Sequence, residues 1–308
     1  MTRRKPEVAA GVGGIDLSGK TYVVTGSTRG IGRRTALALA RLGAHVIVHG
    51  RDEAKGKEVV ERAGRTRGSA DLITADLSRL SSVRSLADEV RDAVGRIDAL
   101  LNNAGGWFSE GSLTEDGVEY TFAVNHLAPF VLTAELLPLL SESEGRVVTT
   151  SSSAHRRGGH EYTTDAVTTV DGYSGFSAYC RSKLANVLFT RELSRRLEDS
   201  GTPVTANCFH PGAVPGTGFA RGTPLPFRLA ARLVSALPEP LQSRLVTTPE
   251  EGAETAVMLA ARPSLGVSGE YLKDLRPSEP SEEARDDEKA RTLWGTSEAL
   301  TGAEYDLV

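Results

Sequence analysis

The sequence predicts a single α/β domain built on a doubly wound parallel sheet, with helices on both faces and a small lid over a substrate cleft. Three observations lead there. Short apolar runs rich in β-branched residues alternate with stretches of helical period along most of the 308 residues, the rhythm of βαβ units with right-handed crossovers. A cluster of glycines follows the first apolar run at once, where such a sheet turns into its first helix. No internal repeat or change of composition divides the chain, so one domain is more economical than the two its length allows.

Residues 1–19 read as a flexible N-terminal tail, being glycine-rich and polar-flanked; the domain then spans 20–308. Residues 21–25 form a β-branched run that suits a strand buried on both faces. After the glycines, 33–42 carries Ala, Leu and Arg at helical spacing and stops at Gly43. Strands at 44–48, 70–74, 98–101, 145–150 and 203–209 then alternate with helices at 53–63, 80–94, 114–140 and 177–197. The rhythm fails at 154–176, a loop rich in Gly, Ser and Thr, and at 213–247, where prolines, glycines and scattered apolar residues suit a lid of short helices. It resumes with a helix at 249–261 and a strand at 269–272. Residues 274–290 are charged and expected to be exposed, ahead of an apolar anchor at Leu293-Trp294.

Composition narrows the function. With 36 basic and 40 acidic residues, a net charge of -4 and 39% hydrophobic residues, the chain is of ordinary globular make-up. That excludes collagen-like, coiled-coil and wholly disordered proteins. The charge gives no electrostatic reason to bind nucleic acid. Cys180 and Cys208 are too few for a disulfide framework, and no spaced set of His, Cys, Asp and Glu suggests a metal. No apolar stretch follows the basic N-terminus, so no secretory signal is read. No uninterrupted apolar window approaches the roughly 18 residues of a membrane span. The expected setting is a reduced cytoplasm, without membrane or nucleic acid as partner.

Thr25-Gly26-Ser27-Thr28-Arg29-Gly30-Ile31-Gly32 lies between the first strand and the first helix. Glycines there permit a tight turn and let backbone N–H groups approach a pyrophosphate at the helix N-terminus, the nucleotide seat of a Rossmann sheet. The spacing is G-x-x-x-G-x-G, and a plain structural turn is the bland alternative. The end of the second strand discriminates between dinucleotides. His49-Gly50-Arg51-Asp52 stands there. Arg51 is placed to fork onto a 2′-phosphate, with Arg29 as a second cation. Asp52 is the competing feature, a carboxylate for a ribose hydroxyl. The balance favours NADP(H) over NAD(H).

Tyr179 and Lys183 are four residues apart, hence on one face of the helix at 177–197. Alone the pair is a weak signal, since an amphipathic helix produces it readily. Carbonyl reduction gives it meaning, because the alkoxide formed must be protonated. A free phenol has a pKa near 10, and a neighbouring ammonium is expected to lower it. Tyr179 then acts as general acid in reduction and general base in oxidation. A hydroxyl from Ser151, Ser152 or Ser153, at the C-terminal edge of the fifth strand, would stabilise the developing charge; spacing does not choose among the three. His155 and His210 read as structural or substrate-lining.

These residues together resemble the short-chain dehydrogenase/reductase family, from about Lys20 to Leu272. The resemblance implies that the turn Gly26, Ser27, Arg29, Gly30, Ile31 and Gly32 binds the cofactor, and that Asp76-Leu77 meets adenine. Asn103, Ala104 and Gly105, within Asn102-Asn103-Ala104-Gly105, would steady the fourth strand and line the cofactor. Asn125 would hold a helix kink and a water of the proton relay. Ser152, Tyr179 and Lys183 match the catalytic serine, tyrosine and lysine, with Lys183 also on the nicotinamide ribose. Pro211, Gly212 and Val214, with Thr217, would orient the carboxamide; Pro215-Gly216 inserts a residue ahead of Thr217.

The sequence around Tyr179, the His210-Pro211-Gly212 step and the tail at 294–302 is similar to the retinol-dehydrogenase-like branch, which includes the WW-domain-containing oxidoreductases. The long Ser152–Tyr179 separation is an insertion this branch shares. Members often carry a membrane-anchoring N-terminus, which is not expected here.

The reading is therefore an NADP(H)-dependent carbonyl reductase or alcohol dehydrogenase. It would pass a hydride, the pro-S one as the resemblance implies, between nicotinamide and a bulky hydrophobic ketone, aldehyde or alcohol such as a polyketide, steroid or retinoid-like compound. Trp107 and Phe108 are candidates to line the substrate cleft. The alternative is a non-catalytic NADP(H)-sensing protein of the same fold. By analogy with relatives, the helices at 114–140 and 177–197 could pair two copies into a homo-oligomer.

Overall fold

A computed structural model describes residues 4–157, 159, 161–214 and 246–307. Eight strands form one sheet in the order β3-β2-β1-β4-β5-β6-β7-β8. They are β1 (Thr21–Val24), β2 (His45–His49), β3 (Ser69–Ile73), β4 (Ala99–Asn102), β5 (Arg146–Thr150), β6 (Thr205–His210), β7 (Tyr271–Lys273) and β8 (Arg276–Pro277). β1 to β7 are parallel, and only β8 runs antiparallel, against β7. The chain steps outward from β1 to β3, then restarts on the other side at β4. That switch leaves a crevice at the carboxyl ends of β1 and β4, where ligands of open α/β sheets bind.

Among the described residues the helices are α1 (Pro6–Ala9), α2 (Gly30–Arg41), α3 (Glu53–Ala63), α4 (Leu80–Ala93), α5 (Tyr120–Phe122), α6 (Ala128–Ser141), α7 (Thr164–Val167), α8 (Gly175–Ser200), α9 (Pro249–Ala261) and α10 (Asp287–Thr301). Two apolar cores lie on the two faces of the sheet. One gathers α4, α6, α8 and α10 around Phe130, Phe189 and Trp294; the other gathers α2, α3 and α9 around Leu39, Val59 and Val257. Fully buried β strands explain why their sequences read as continuous apolar runs rather than alternations.

Three expectations change. The N-terminal segment is no flexible tail from residue 4 onward. Val12 and Leu17 are buried, and Glu7 accepts both Nε and Nη2 of Arg41 at 2.6 Å. A bidentate carboxylate–guanidinium pair holds this turn against α2. The long helix expected from 114 starts at Tyr120. A turn at Gly117 (φ +76°) folds Thr114 back onto Val118, and the buried Glu119 carboxylate caps the helix by accepting from the Thr121 and Phe122 N–H groups. Residues 274–290 are not uniformly exposed, because Ala284 and Ala290 are buried and Asp286 caps α10. Tyr120–Ser141, interrupted by polar residues such as Asn125 and Glu135, has the length and hydropathy of a membrane span, and 83% of its 18-residue apolar window is buried in the domain, as in a core helix. The lid at 213–247 lies, from 215 to 245, outside the described residues, and Thr217 with it.

Candidate active site

The glycine turn is shaped by neighbours that leave no room for side chains. Gly26 has φ +65°, and a Cβ there would sit 2.9 Å from Ala104 Cα. A Cβ on Gly32 would lie 2.4 Å from Asn103 Nδ2 and 2.6 Å from the Gly26 carbonyl. Asn103 Nδ2 donates to the Thr25 carbonyl at 2.7 Å, and Thr25 Oγ1 accepts from the N–H groups of Asn103 and Ala104 at 3.0 Å. The end of β4 is thus stitched to the turn. Arg29, at the N-terminus of α2, offers no side-chain cap, and the first turn holds no acid. Its N–H groups and dipole suit an anion, so the residues fit a dinucleotide pyrophosphate.

Ser27 departs from expectation. It is fully buried, its hydroxyl donates to the Val24 carbonyl at 2.7 Å and accepts from His49 N–H at 3.0 Å, so it shapes the turn rather than offering a hydroxyl to a ligand. His49, which the sequence reading passed over, braces the same turn. Its Nδ1 accepts from Gly26 N–H at 3.2 Å and its Nε2 donates to the Ala75 carbonyl at 3.3 Å. Burial pushes this imidazole down to about 4, so it is neutral. A histidine ending a buried strand was its only signal.

Beyond the turn, Arg51 is half-exposed. Its Nη1 donates to Tyr120 Oη at 3.2 Å and lies 3.7 Å from Asp76 Oδ1. Asp52 is engaged as the cap of α3. It accepts from Lys55 N–H and pairs with Lys55 Nζ, and those hydrogen bonds, with the field of Arg29, hold its carboxyl below the usual range. Of the Asp76-Leu77 pair, Leu77 is buried in the core, leaving Asp76 as the accessible member. Ile31 and Val214 meet over Gly252, where a Cβ would lie 3.2 Å from Ile31 Cγ1, 3.0 Å from Val214 Cγ2 and 3.2 Å from the Pro211 carbonyl. The segment 211–214, with Gly212 at φ +83°, therefore lies beside the first turn of α2.

The three serines after β5 are separated by what each touches. Ser151 is buried and its hydroxyl donates to the Lys183 carbonyl at 2.8 Å. Ser153 is exposed. Ser152, between them, is the serine whose side chain faces Tyr179 and draws its phenol down. Tyr179 and Lys183 lie one turn apart on α8, with Nζ 5.8 Å from the phenol ring centroid and donating to the Thr150 carbonyl at 2.9 Å.

The electrostatics correct one expectation. Burial pushes the Tyr179 phenol above its ordinary value, and the Ser152 hydrogen bond draws it back only in part. Lys183 does not lower it, because its ammonium is turned to Thr150 and is itself pushed down to about 8 by burial. Desolvation penalises both charged forms.

Asn125 sits in a π-helical turn, Ala123–Leu127, that joins α5 to α6 and supplies the expected kink. Its Oδ1 accepts from Gly106 N–H, and its Nδ2 donates to the Gly106 carbonyl and to Ser182 Oγ, all at 2.9 Å. Both amide hydrogens are thus held by protein, so Asn125 positions backbone, and only an Oδ1 lone pair remains for a relay. Gly105 (φ +157°) keeps the adjoining space open, since a Cβ there would sit 2.9 Å from Asn125 Oδ1 and 3.6 Å from Lys183 Nζ.

Trp107 stacks on Tyr179 (centroids 6.3 Å apart, planes at 17°) and meets Phe176 at 5.2 Å. Phe108 turns the other way, edge-on to Tyr120 at 4.7 Å. Of the two aromatic candidates only Trp107 lines the reactive end. Phe176 joins it, and its place three residues before Tyr179 on the helix was a readable signal. His155 bonds the Ser152 carbonyl through Nδ1 at 2.6 Å and accepts from Ser281 N–H at 3.1 Å, and His210 accepts from Ser153 N–H at 3.3 Å. Both hold the loop after β5.

A doubly wound sheet, an uncapped glycine-turn helix at its switch point, and a Ser–Tyr–Lys group at the end of β5 define a nicotinamide-dependent oxidoreductase acting on alcohols and carbonyls. The profile of the short chain dehydrogenase family matches residues 20–224, and the chain belongs to that family, in its retinol-dehydrogenase-like branch. It is 40% identical over 303 residues to human retinol dehydrogenase 14, covering 93% of this chain and 87% of the relative. It is 39% identical over 290 residues to a candidate daunorubicin C-13 ketoreductase of Streptomyces sp. (strain C5), covering 93% and 94%. Among solved structures it resembles an uncharacterised protein of Mycobacterium paratuberculosis, with TM-score 0.73, 33% identity and 95% and 97% of the two chains covered. It also resembles RhlG of Pseudomonas aeruginosa in an NADP active-site complex, with TM-score 0.64, 26% identity and 83% and 95% covered.

Proposed function

We propose that the protein is an NADP(H)-dependent oxidoreductase that interconverts a bulky hydrophobic ketone, or aldehyde, and its alcohol. The observation that carries the chemistry is the buried Tyr179 phenol facing Ser152, with the Lys183 ammonium one turn along α8 and 5.8 Å from the ring centroid. The nicotinamide dinucleotide, when bound, supplies or accepts the hydride. Everything else falls to this chain. Ser152 and Tyr179 would hold the carbonyl oxygen between two hydroxyls, and Tyr179 would give its proton to the oxygen as negative charge develops. Burial keeps the phenol protonated at neutral pH, which is the state a proton donor requires. Lys183, charged below about 8, holds the Thr150 carbonyl at the end of β5 one turn from the phenol. Trp107 and Phe176 give the reactive end an aromatic wall, which suits a large apolar substrate.

Support for NADP(H) comes from the end of β2. The Asp52 carboxylate is occupied as a helix cap beside Lys55, so it is poorly placed to take a ribose hydroxyl, whereas Arg51 retains donors directed to solvent. The NADP complex of a structural relative supports this cofactor, and the retinol and daunorubicin in the names of the sequence relatives support a bulky apolar substrate. The test is NADPH consumption with a panel of hydrophobic ketones, wild type against Tyr179→Phe. Turnover that Tyr179→Phe removes while NADPH still binds is the expected result. Tight NADPH binding with no carbonyl reduced would instead favour a cofactor-sensing protein.

A further inference from the structure

We infer that Tyr120 is a positioning residue for dinucleotide selectivity, holding Arg51 so that one edge of its guanidinium is presented to the adenosine 2′-phosphate. The inference rests on the NADP(H) reading above and adds a residue from a distant part of the chain. Arg51 leaves the end of β2, whereas Tyr120 opens α5, 69 positions later. Only Nη1 of Arg51 bonds to described residues. It donates to Tyr120 Oη at 3.2 Å and faces Asp76 Oδ1 at 3.7 Å. Nε and Nη2 make no hydrogen bond to the described residues, and together they form the side-on fork that matches two oxygens of a phosphate.

A long exposed arginine samples many rotamers, and each must be given up on binding. Pinning Nη1 removes part of that loss in advance. For pinning to work, the phenol must itself be rigid, and three contacts make it so. The Tyr120 N–H donates to the Ser112 carbonyl at 3.0 Å. Its ring packs edge-on against Phe108 at 4.7 Å. The residue before it, Glu119, is fully buried and bound to Arg181 Nη2 at 3.2 Å. Arg51 therefore has a fixed acceptor on one edge and free donors on the other. NAD(H) has no group for that free edge, so the effect falls on NADP(H) alone.

Titration calorimetry of NADP+ and NAD+ against wild type, Tyr120→Phe, Arg51→Ala and the double variant tests this. Phenylalanine keeps the ring packing on Phe108 and removes only the acceptor. Tyr120→Phe should weaken NADP+ by about threefold to tenfold with NAD+ within twofold, and raise KM for NADPH rather than lower kcat. The added change should vanish in the Arg51→Ala background, because the phenol acts only through that guanidinium. An unchanged NADP+/NAD+ ratio in Tyr120→Phe, equal loss for both dinucleotides, or an effect that persists without Arg51 would overturn the inference. If Arg51→Ala alone abolishes the preference, the NADP(H) reading stands whatever Tyr120→Phe does. If wild type shows no preference, the reading itself fails.

Discussion

Lys183 is 4% exposed, and its ammonium donates to the Thr150 carbonyl at 2.9 Å. Burial is the whole cause of its depressed value, from 10.5 down to about 8. Replacing it with methionine fills similar volume and removes a charge that folding must desolvate. A shift of that size corresponds to about 3 kcal/mol at roughly 1.4 kcal/mol per unit. The lost hydrogen bond offsets about 1 kcal/mol, and no more, because Thr150 O keeps the Asn186 Nδ2 donor at 3.1 Å. Lys183→Met should therefore be stabler than wild type by about 2 kcal/mol at pH 7, or about 4 °C in Tm for a domain of this size, while losing activity. The gap must also depend on pH. Below about 8 the lysine is charged folded and unfolded, and the full penalty stands. Between 8 and 10.5 the unfolded chain holds the proton that the folded chain has released, so wild type gains stability with rising pH and the gap closes. Thermal melts of both proteins from pH 6.5 to 10.5, followed by circular dichroism, measure it. A variant less stable than wild type at pH 7, or a gap that does not change with pH, would refute the reasoning.

Two other perturbations follow from the geometry. Gly105→Ala should retain the fold but cut NADPH affinity and turnover at least tenfold. Its Cβ would enter the space beside Asn125 Oδ1 and Lys183 Nζ from a backbone conformation that alanine adopts only under strain, and a dissociation constant measured by fluorescence quenching would report it. Trp294→Ala should cost about 3–5 kcal/mol and promote self-association on size exclusion, whereas wild type should elute as a monomer. Trp294 of α10 packs on Phe130 of α6 at 5.0 Å and on Phe189 of α8 at 6.0 Å. It thereby covers the two helices through which relatives were expected to pair. A dimeric wild type would defeat that argument.

The parallel sheet was legible because strands buried on both faces announce themselves as apolar runs, and the glycine turn because close backbone approach leaves residues without side chains. What could not be read was contact across distance. Nothing local tells Ser152 from Ser151; the difference is that one hydroxyl meets a phenol from α8 and the other the carbonyl of Lys183. The N-terminal segment reads as a tail because its own composition is weak, yet Glu7 meets Arg41, 34 positions on. The start of α5 was misread for the same reason. Its cap is Glu119, buried with Arg181, and that pairing lies 62 positions away.

The two central pKa shifts have one cause and opposite signs, and this bears on direction. Burial raises Tyr179 and lowers Lys183, so near neutral pH the pair rests as phenol and ammonium. That is the acid form, ready to protonate an alkoxide. The reverse reaction needs a phenolate, which desolvation opposes and only the Ser152 hydroxyl favours. Alkalinity should therefore help oxidation less than a free phenol would suggest, which a pH profile of alcohol oxidation would show.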